Sequence, residues 1–195
     1  MITKFMKLYL LRHAQTLHNK EGINGSQTPS PLSEEGKKLS QDIIPILKKY
    51  QFDVVIVSPL HRTLETIKPF LDSLPDEKKP GVVVDELTIE RDLGKLTGTR
   101  KGEIGKYKEQ HNITTDPISW IPPKGESILD VRERAIRFFD LLKKNHREQS
   151  ILICGHQNFL RNLELLIISR PVTDFYSDNP PRMENGEIRE YDIEV

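Results

Sequence analysis

Two histidines and two arginines stand where apolar runs end in this 195-residue chain. The stretch "LYLLRHAQT" closes on Arg12 and His13, "VIVSPLHRTLET" carries Arg62 just past its apolar run, and "ILICGHQN" closes on His156. A further segment, "ELTIERDLGKLTG", follows the run "GVVVD" and adds Glu86, Glu90 and Asp92. Neutral imidazole is a competent nucleophile near pH 7, whereas an alcohol needs a base to activate it. Arginine presents a planar fork that fits phosphate oxygens in pairs. A carboxylic acid can protonate a leaving oxygen when burial or nearby negative charge raises its pKa. Together these groups suit phosphoryl transfer, in which attack is in line and cations hold the charge on the equatorial oxygens. Two unit charges about 4 Å apart at an effective dielectric near 20 attract by roughly 4 kcal/mol before desolvation is subtracted. Each residue alone has a plainer reading, as a satisfied structural histidine or a solvent-facing arginine; the chemistry rests on their joint placement.

The elements that would position them can be read from periodicity. Residues 7–11, 53–57, 81–85 and 150–154 read as strands, three of them nearly unbroken in apolar character, which marks strands buried on both faces. Residues 33–50, 60–74 and 127–146 carry apolar residues at helical spacing. In the last, Ile128, Val131, Ala135, Phe138, Phe139 and Leu142 line one face, and "SILD" offers a capping-box start. Pro45 predicts a kink in the first helix. Ser58 is expected to cap the second, with Pro59 at its first position and Arg62 in its first turn. Strand and helix in alternation imply an α/β fold with a mostly parallel sheet covered by helices. Ligands of open α/β sheets bind outside the carboxyl ends of the strands, and all four runs deliver their polar residues to that rim. Residues 75–81, 114–125 and 170–186 read as loops, the last two long enough to cover a site.

Composition narrows the partners. The 29 basic and 29 acidic residues cancel, so any anion site is local, and neither a nucleic-acid nor a membrane partner is expected. Residues 1–195 are expected to form one domain. The apolar run before Arg12 is too short for a signal peptide or a membrane span, and the single cysteine, Cys154, excludes an intramolecular disulfide. Both favour a cytoplasmic location. Six residues separate Cys154 from Arg161, one too many for the phosphate loop of a cysteine-dependent phosphatase. The histidines show no metal-ligand spacing, so neither a metal nor a cofactor is expected. Nothing in the sequence indicates the oligomeric state.

Five ordered motifs, running from Leu8 to about Leu163, resemble those of the histidine phosphatase superfamily, which includes phosphoglycerate mutases and fructose-2,6-bisphosphatases. "LRHAQT" is similar to its Arg-His-Gly motif, "SPLHRTLET" to its second arginine motif, and "IERDLGKLTG" to the segment bearing its general acid. "PPKGESILDVRERAIRFF" is similar to its Gly-Glu-Ser helix start and "ILICGHQNFLRNL" to its second-histidine motif. The resemblance implies a three-layer sandwich with helices on both faces of the sheet. It implies that His13 is the nucleophile that becomes phosphohistidine, that Arg12, Arg62 and His156 bind the phosphoryl oxygens, and that Glu90 protonates the leaving oxygen. Asn19 and the backbone near Gly25 match positions that contact phosphate in mutase-like members, and Gln157 is expected to line the substrate site, as in fructose-2,6-bisphosphatases.

The chain departs from the family at Ala14, where the usual residue is glycine, and at Thr97, often glutamate. Glu90 and Gly125 are only 35 positions apart and 39 residues follow His156, too little chain for the enclosure that keeps phosphohistidine from water in mutases. The resemblance therefore implies hydrolysis of a small phosphate monoester, a sugar phosphate among the candidates. A phosphoglycerate mutase-type phosphotransferase and a non-catalytic phosphate-ester-binding protein are the alternatives.

Overall fold

A computed structural model describes residues 5–194. In chain order the elements are β1 (Phe5–Arg12), α1 (Leu17–Glu21), α2 (Glu34–Asp42), α3 (Ile44–Leu47), β2 (Val54–Val57), α4 (His61–Asp72), β3 (Gly81–Val84), α5 (Glu103–Gln110), α6 (Ile128–Asn145), β4 (Ser150–Gly155), α7 (Gln157–Ile167) and β5 (Ile188–Glu194). Their strands form one sheet in the order β3-β2-β4-β1-β5. Only β5 runs antiparallel, along β1; the other pairs are parallel.

Alternation along the central strands gives the sheet two apolar faces. Leu8 and Leu10 of β1, with Ile151 and Ile153 of β4, pack under Val131, Phe138, Phe159 and Leu163 of α6 and α7. Tyr9 and Leu11, with Val55, Val57 and Leu152, meet Ile43, Leu47, Ile67 and Phe70 on the opposite side. Each such fully buried side chain contributes about 1.5–3 kcal/mol, and the result is the expected three-layer α/β arrangement. Among the described residues no helix is long and apolar enough to cross a membrane.

Several details differ from the sequence reading. The helix expected over residues 33–50 is two helices, because Pro45 has no N–H to continue α2 and sits instead in the first turn of α3. The α4 helix begins at His61 with Leu60 as its cap residue and no side-chain cap; Ser58 is engaged elsewhere. β3, expected as an interior strand, is the sheet edge and all four of its residues are exposed. β5 and α5 were not anticipated, and the loop over residues 170–186 contains a 3-10 turn, Val172–Tyr176. The expected capping box is present: Ser127 accepts from Asp130 N–H, while the Asp130 carboxylate accepts from Ser127 N–H. The domain bounds 1–195 include residues 1–4 and 195, which lie outside the described residues.

Candidate active site

The ladder between β1 and β4 sets the geometry. Arg12 pairs with Gly155, and His13 N–H donates to the Gly155 carbonyl at 3.0 Å, so His13 and His156 leave adjacent strands side by side. Their ring centroids are 5.1 Å apart. Nδ1 of His13 is 2.7 Å from the Ala14 carbonyl oxygen. A carbonyl only accepts, so we assign the hydrogen to Nδ1, which leaves the lone pair on Nε2. Burial, then the charges of Arg62 and Arg12, push the His13 pKa down to about 3. The ring is therefore neutral at pH 7 and keeps a free nitrogen.

Arg62, in the first turn of α4, is held on three sides. Its Nε donates to His156 Nδ1 at 3.2 Å, and Nη1 and Nη2 donate to the carbonyls of Thr28 (3.2 Å) and Ser26 (2.8 Å). Because arginine can only donate, His156 Nδ1 must accept, which puts the His156 hydrogen on Nε2, 2.7 Å from Ser58 Oγ. Ser58 thus orients His156, which in turn orients Arg62. Burial, reinforced by Arg62, holds the His156 pKa well below the ordinary value. Arg12 donates from Nη1 to the Met183 carbonyl at 2.7 Å, and its buried Nε has no partner among the described residues.

Glu90 reaches the site from the segment after β3. Its Oε1 accepts from the backbone N–H groups of Arg91 (2.7 Å) and Asn158 (3.2 Å), the latter in the first turn of α7. The Gly-Glu-Ser stretch explains how this segment is fixed. Gly94 has a φ of +52°, and a Cβ there would lie 2.2 Å from the Pro123 carbonyl oxygen. The segments 92–95 and 123–126 therefore touch, with Glu126 N–H donating to Asp92 O and Lys95 N–H to Pro123 O. The Glu126 carboxylate accepts from Asp92 N–H and pairs with Arg134 of α6, whose Nη1 holds the carbonyls of Leu87 and Ile89.

These groups surround a cavity of about 390 Å³ at the carboxyl ends of β1 and β4. Arg12, His13, Arg62, Glu90, Asn19, Gly25 and Gln157 all line it. His156 is fully buried behind them, with both ring nitrogens engaged. Asn19 spends its carbonyl oxygen on Thr16 and Asn185, leaving its amide NH₂ for a ligand. Gly25 is packed against the His18 ring, which a Cβ would meet at 3.0 Å. Ala14 is fully buried and does not line the cavity; its N–H donates to Thr66 Oγ1 at 2.9 Å. Cys154 is buried too, and burial raises its thiol pKa, so it is a packing residue rather than a nucleophile.

Sequence reasoning missed several lining groups: Lys101, Arg182 and Glu184 at the mouth, and the Asn158 N–H that holds Glu90. It also missed Asn185, which donates to the His13 carbonyl at 2.8 Å. A backbone N–H has no signature in residue type, and Arg182 and Asn185 arrive from a loop whose contacts span more than 160 positions.

A family model described as histidine phosphatase superfamily (branch 1) matches residues 8–194. The chain is 28% identical over 169 residues to the adenosylcobalamin/alpha-ribazole phosphatase of Escherichia coli, covering 85% of this chain and 81% of that protein. It is 30% identical over 164 residues to a 2,3-bisphosphoglycerate-dependent phosphoglycerate mutase of Brucella ovis, covering 80% of this chain and 78% of that one. The crystal structure of an alpha-ribazole phosphatase from Shigella flexneri shares the fold, with a TM-score of 0.80 at 24% identity over 97% of this chain and 95% of that one. With strand ends, motif order and matched length in agreement, the chain belongs to the histidine phosphatase superfamily, whose matched relatives are phosphatases and mutases.

Proposed function

We propose that this protein, acting as one domain over residues 1–195, is a metal-independent phosphatase that hydrolyses small phosphate monoesters through a phosphohistidine on His13. The supporting observation is the neutral His13 ring, its Nε2 free and two arginines beside it, in a cavity that also holds Glu90. Nε2 attacks phosphorus, the ester P–O bond breaks, and the leaving oxygen takes a proton from Glu90. Glu90, now a carboxylate, removes a proton from water, whose oxygen attacks the phosphohistidine, freeing His13 and releasing phosphate. Arg12 and Arg62 hold the phosphoryl oxygens, and His156 keeps Arg62 in place. Ala14, buried away from the cavity, presents no methyl to the phosphate, which favours a working enzyme over a phosphate-ester-binding protein.

The test is rapid quenching of the protein with a labelled sugar phosphate and chelator, followed by mass spectrometry. The reading requires transient phosphorylation of the peptide containing His13, phosphate release that survives chelation, and neither in His13→Ala. Similarity to the Brucella ovis mutase supports a second reading, phosphoryl transfer between positions of one substrate. Conversion of 3-phosphoglycerate to 2-phosphoglycerate faster than phosphate release would establish it instead.

A further inference from the structure

Among the described residues, five that are not glycine have a positive φ, and four of these, Asn112, Lys124, Glu148 and Ser169, are exposed at turns. Ser26 is the exception. Its φ is +48°, it is buried, and it lines the cavity. The left-handed region suits glycine and disfavours a residue with a Cβ, which persists there only where its surroundings fix it. The surroundings of Ser26 do so on two sides. Its hydroxyl donates to the Arg91 carbonyl at 3.0 Å and accepts from Leu93 N–H at 2.9 Å, while its own carbonyl accepts from Arg62 Nη2 at 2.8 Å. The next two residues repeat the pattern. Gln27 Nε2 donates to the Glu90 carbonyl at 2.8 Å, and the Thr28 carbonyl accepts from Arg62 Nη1 at 3.2 Å. A turn closed by Thr28 N–H on the Gly25 carbonyl at 2.9 Å holds the three together.

We infer that Ser26 is a positioning residue for the reaction: its left-handed backbone turns a carbonyl onto Arg62 while its hydroxyl fixes the segment that carries Glu90, so one residue sets the acid against the phosphoryl-binding cation. The inference rests on the reading of Glu90 as the acid. Arg91 is the link on the acid side. Its N–H holds the Glu90 carboxylate at 2.7 Å, so tying down the Arg91 carbonyl through Ser26 and the Glu90 carbonyl through Gln27 also fixes where that carboxylate points. The Ser26 hydroxyl pairs one backbone acceptor and one backbone donor of this segment, both within the buried wall of the cavity. Glycine would take the same φ without strain but has no hydroxyl to offer, so the side chain is what joins the two halves of the site. In-line transfer with a proton delivered to the leaving oxygen depends on that join, because the cation fixes the phosphorus and the acid must meet the oxygen departing from it.

Two variants delete the hydroxyl in different ways. Ser26→Gly relaxes the backbone and leaves the carbonyl for Arg62, whereas Ser26→Ala removes the same two hydrogen bonds without adding the freedom of glycine. Turnover of an alkyl phosphate and of nitrophenyl phosphate, and inhibition by inorganic phosphate, are measured for both, for Glu90→Gln, and for Ser26→Gly combined with Glu90→Gln. Each Ser26 variant is expected to lower kcat about tenfold on the alkyl ester and no more than about twofold on the nitrophenyl ester, whose leaving oxygen needs little protonation. Inhibition of Ser26→Gly by phosphate should stay within about twofold of wild type, since Arg62 keeps its carbonyl partner. With Glu90 already replaced, Ser26→Gly should cost nothing further, because no acid remains to be placed. Equal losses on the two esters, no loss on either, or a loss that simply adds to that of Glu90→Gln would overturn the inference and leave Ser26 as a packing residue. A Glu90→Gln variant that itself fails to distinguish the esters would remove the acid, and the inference with it, whereas one that distinguishes them beside Ser26 variants that do not would overturn the inference alone.

Discussion

Arg12, His13, Arg62 and His156 lie at or just past strand ends and in the first turn of a helix, and each is held by the backbone ladder or by a neighbouring side chain. Arg182 and Glu184 hang from an irregular loop and are exposed, and Arg182 lies over the rings of Phe175 and Tyr176, 5.4 and 5.3 Å from their centroids. The loop is anchored at its base: fully buried Arg161 donates to the carbonyls of Asp174, Phe175, Ser177 and Pro180 and pairs with Glu164. Beyond Arg182 the grip resumes, since Met183 is buried, its carbonyl accepts from Arg12, and Asn185 and Gly186 donate to the carbonyls of His13 and Arg12, so it is the side chains of Arg182 and Glu184 that stand out from an anchored backbone. The floor of the cavity thus has little freedom, and the exposed side chains at its mouth have more. Chemistry that depends on in-line geometry is placed on the rigid part, and the part that meets the rest of the substrate is left to vary.

Substitutions separate floor from mouth most widely at the nucleophile. His13→Ala is expected to lower kcat on an aryl phosphate by roughly 10⁴-fold or more, since the residues that remain can only bind. Residual turnover within tenfold of wild type would move the nucleophile elsewhere. Glu90→Gln follows, with a loss of about 10²–10⁴-fold on an alkyl phosphate. The loss on nitrophenyl phosphate is smaller, because that leaving oxygen needs little protonation. Equal losses on the two esters would remove Glu90 from the acid role.

The two buried histidines of the floor also respond to acid. His13 sits at about 3 in the folded chain against 6.5 for the free group, and His156 is lowered in the same direction. Between those values the unfolded chain binds protons that the native chain does not, so their contribution is complete above pH 6.5 and is lost as pH falls toward 3. Each such group adds up to about 1.4 kcal/mol per pH unit to the slope. Urea unfolding at several pH values should show this fall, and His13→Gln should flatten it. An unchanged slope would mean that His13 titrates normally.

A smaller effect lies where the two regions join. Asn185 ties the loop to the His13 carbonyl, and one hydrogen bond is worth about 1 kcal/mol. Asn185→Ala is therefore expected to lower kcat about fivefold, with Asn185→Asp failing to restore it because the donor is gone. No change in kcat would show that the loop can move without disturbing the ring.

The same contrast governs what the sequence revealed. β1 and β4 were legible because nearly unbroken apolar runs end abruptly on Arg12 and His156, and the strand-end rule then gathers their side chains. β5 was not, because "IREYDIE" is charged, carries no apolar run and is stabilised by a partner strand at the far end of the chain. β3 was found but placed wrongly, since three valines give the same signal in an interior strand and in an uncovered edge. Of the site, side chains at strand ends could be found; what holds them could not. Asn158 acts through its backbone, and Glu126 and Arg134 act through carbonyls and amides of residues 87–92 that no spacing pattern indicates.

Arg182→Ala is the mildest of these changes and the one most specific to the mouth. The guanidinium is exposed, so its attraction for a phosphate ester is that of charges in water, about 1 kcal/mol at contact. Its ring contacts are of similar size. The substitution should raise KM a few-fold and change kcat little, because the rings beneath Arg182 do not line the cavity and its charge acts on Arg12 rather than on His13. Exposed charges are screened within about 10 Å at 0.1 M salt and 3 Å at 1 M. The difference in KM between wild type and variant should therefore shrink as salt is added, while the loss in His13→Ala persists. A fall in kcat that salt does not relieve would place Arg182 in the chemistry, and the division between a fixed floor and a variable mouth would have to be redrawn around it.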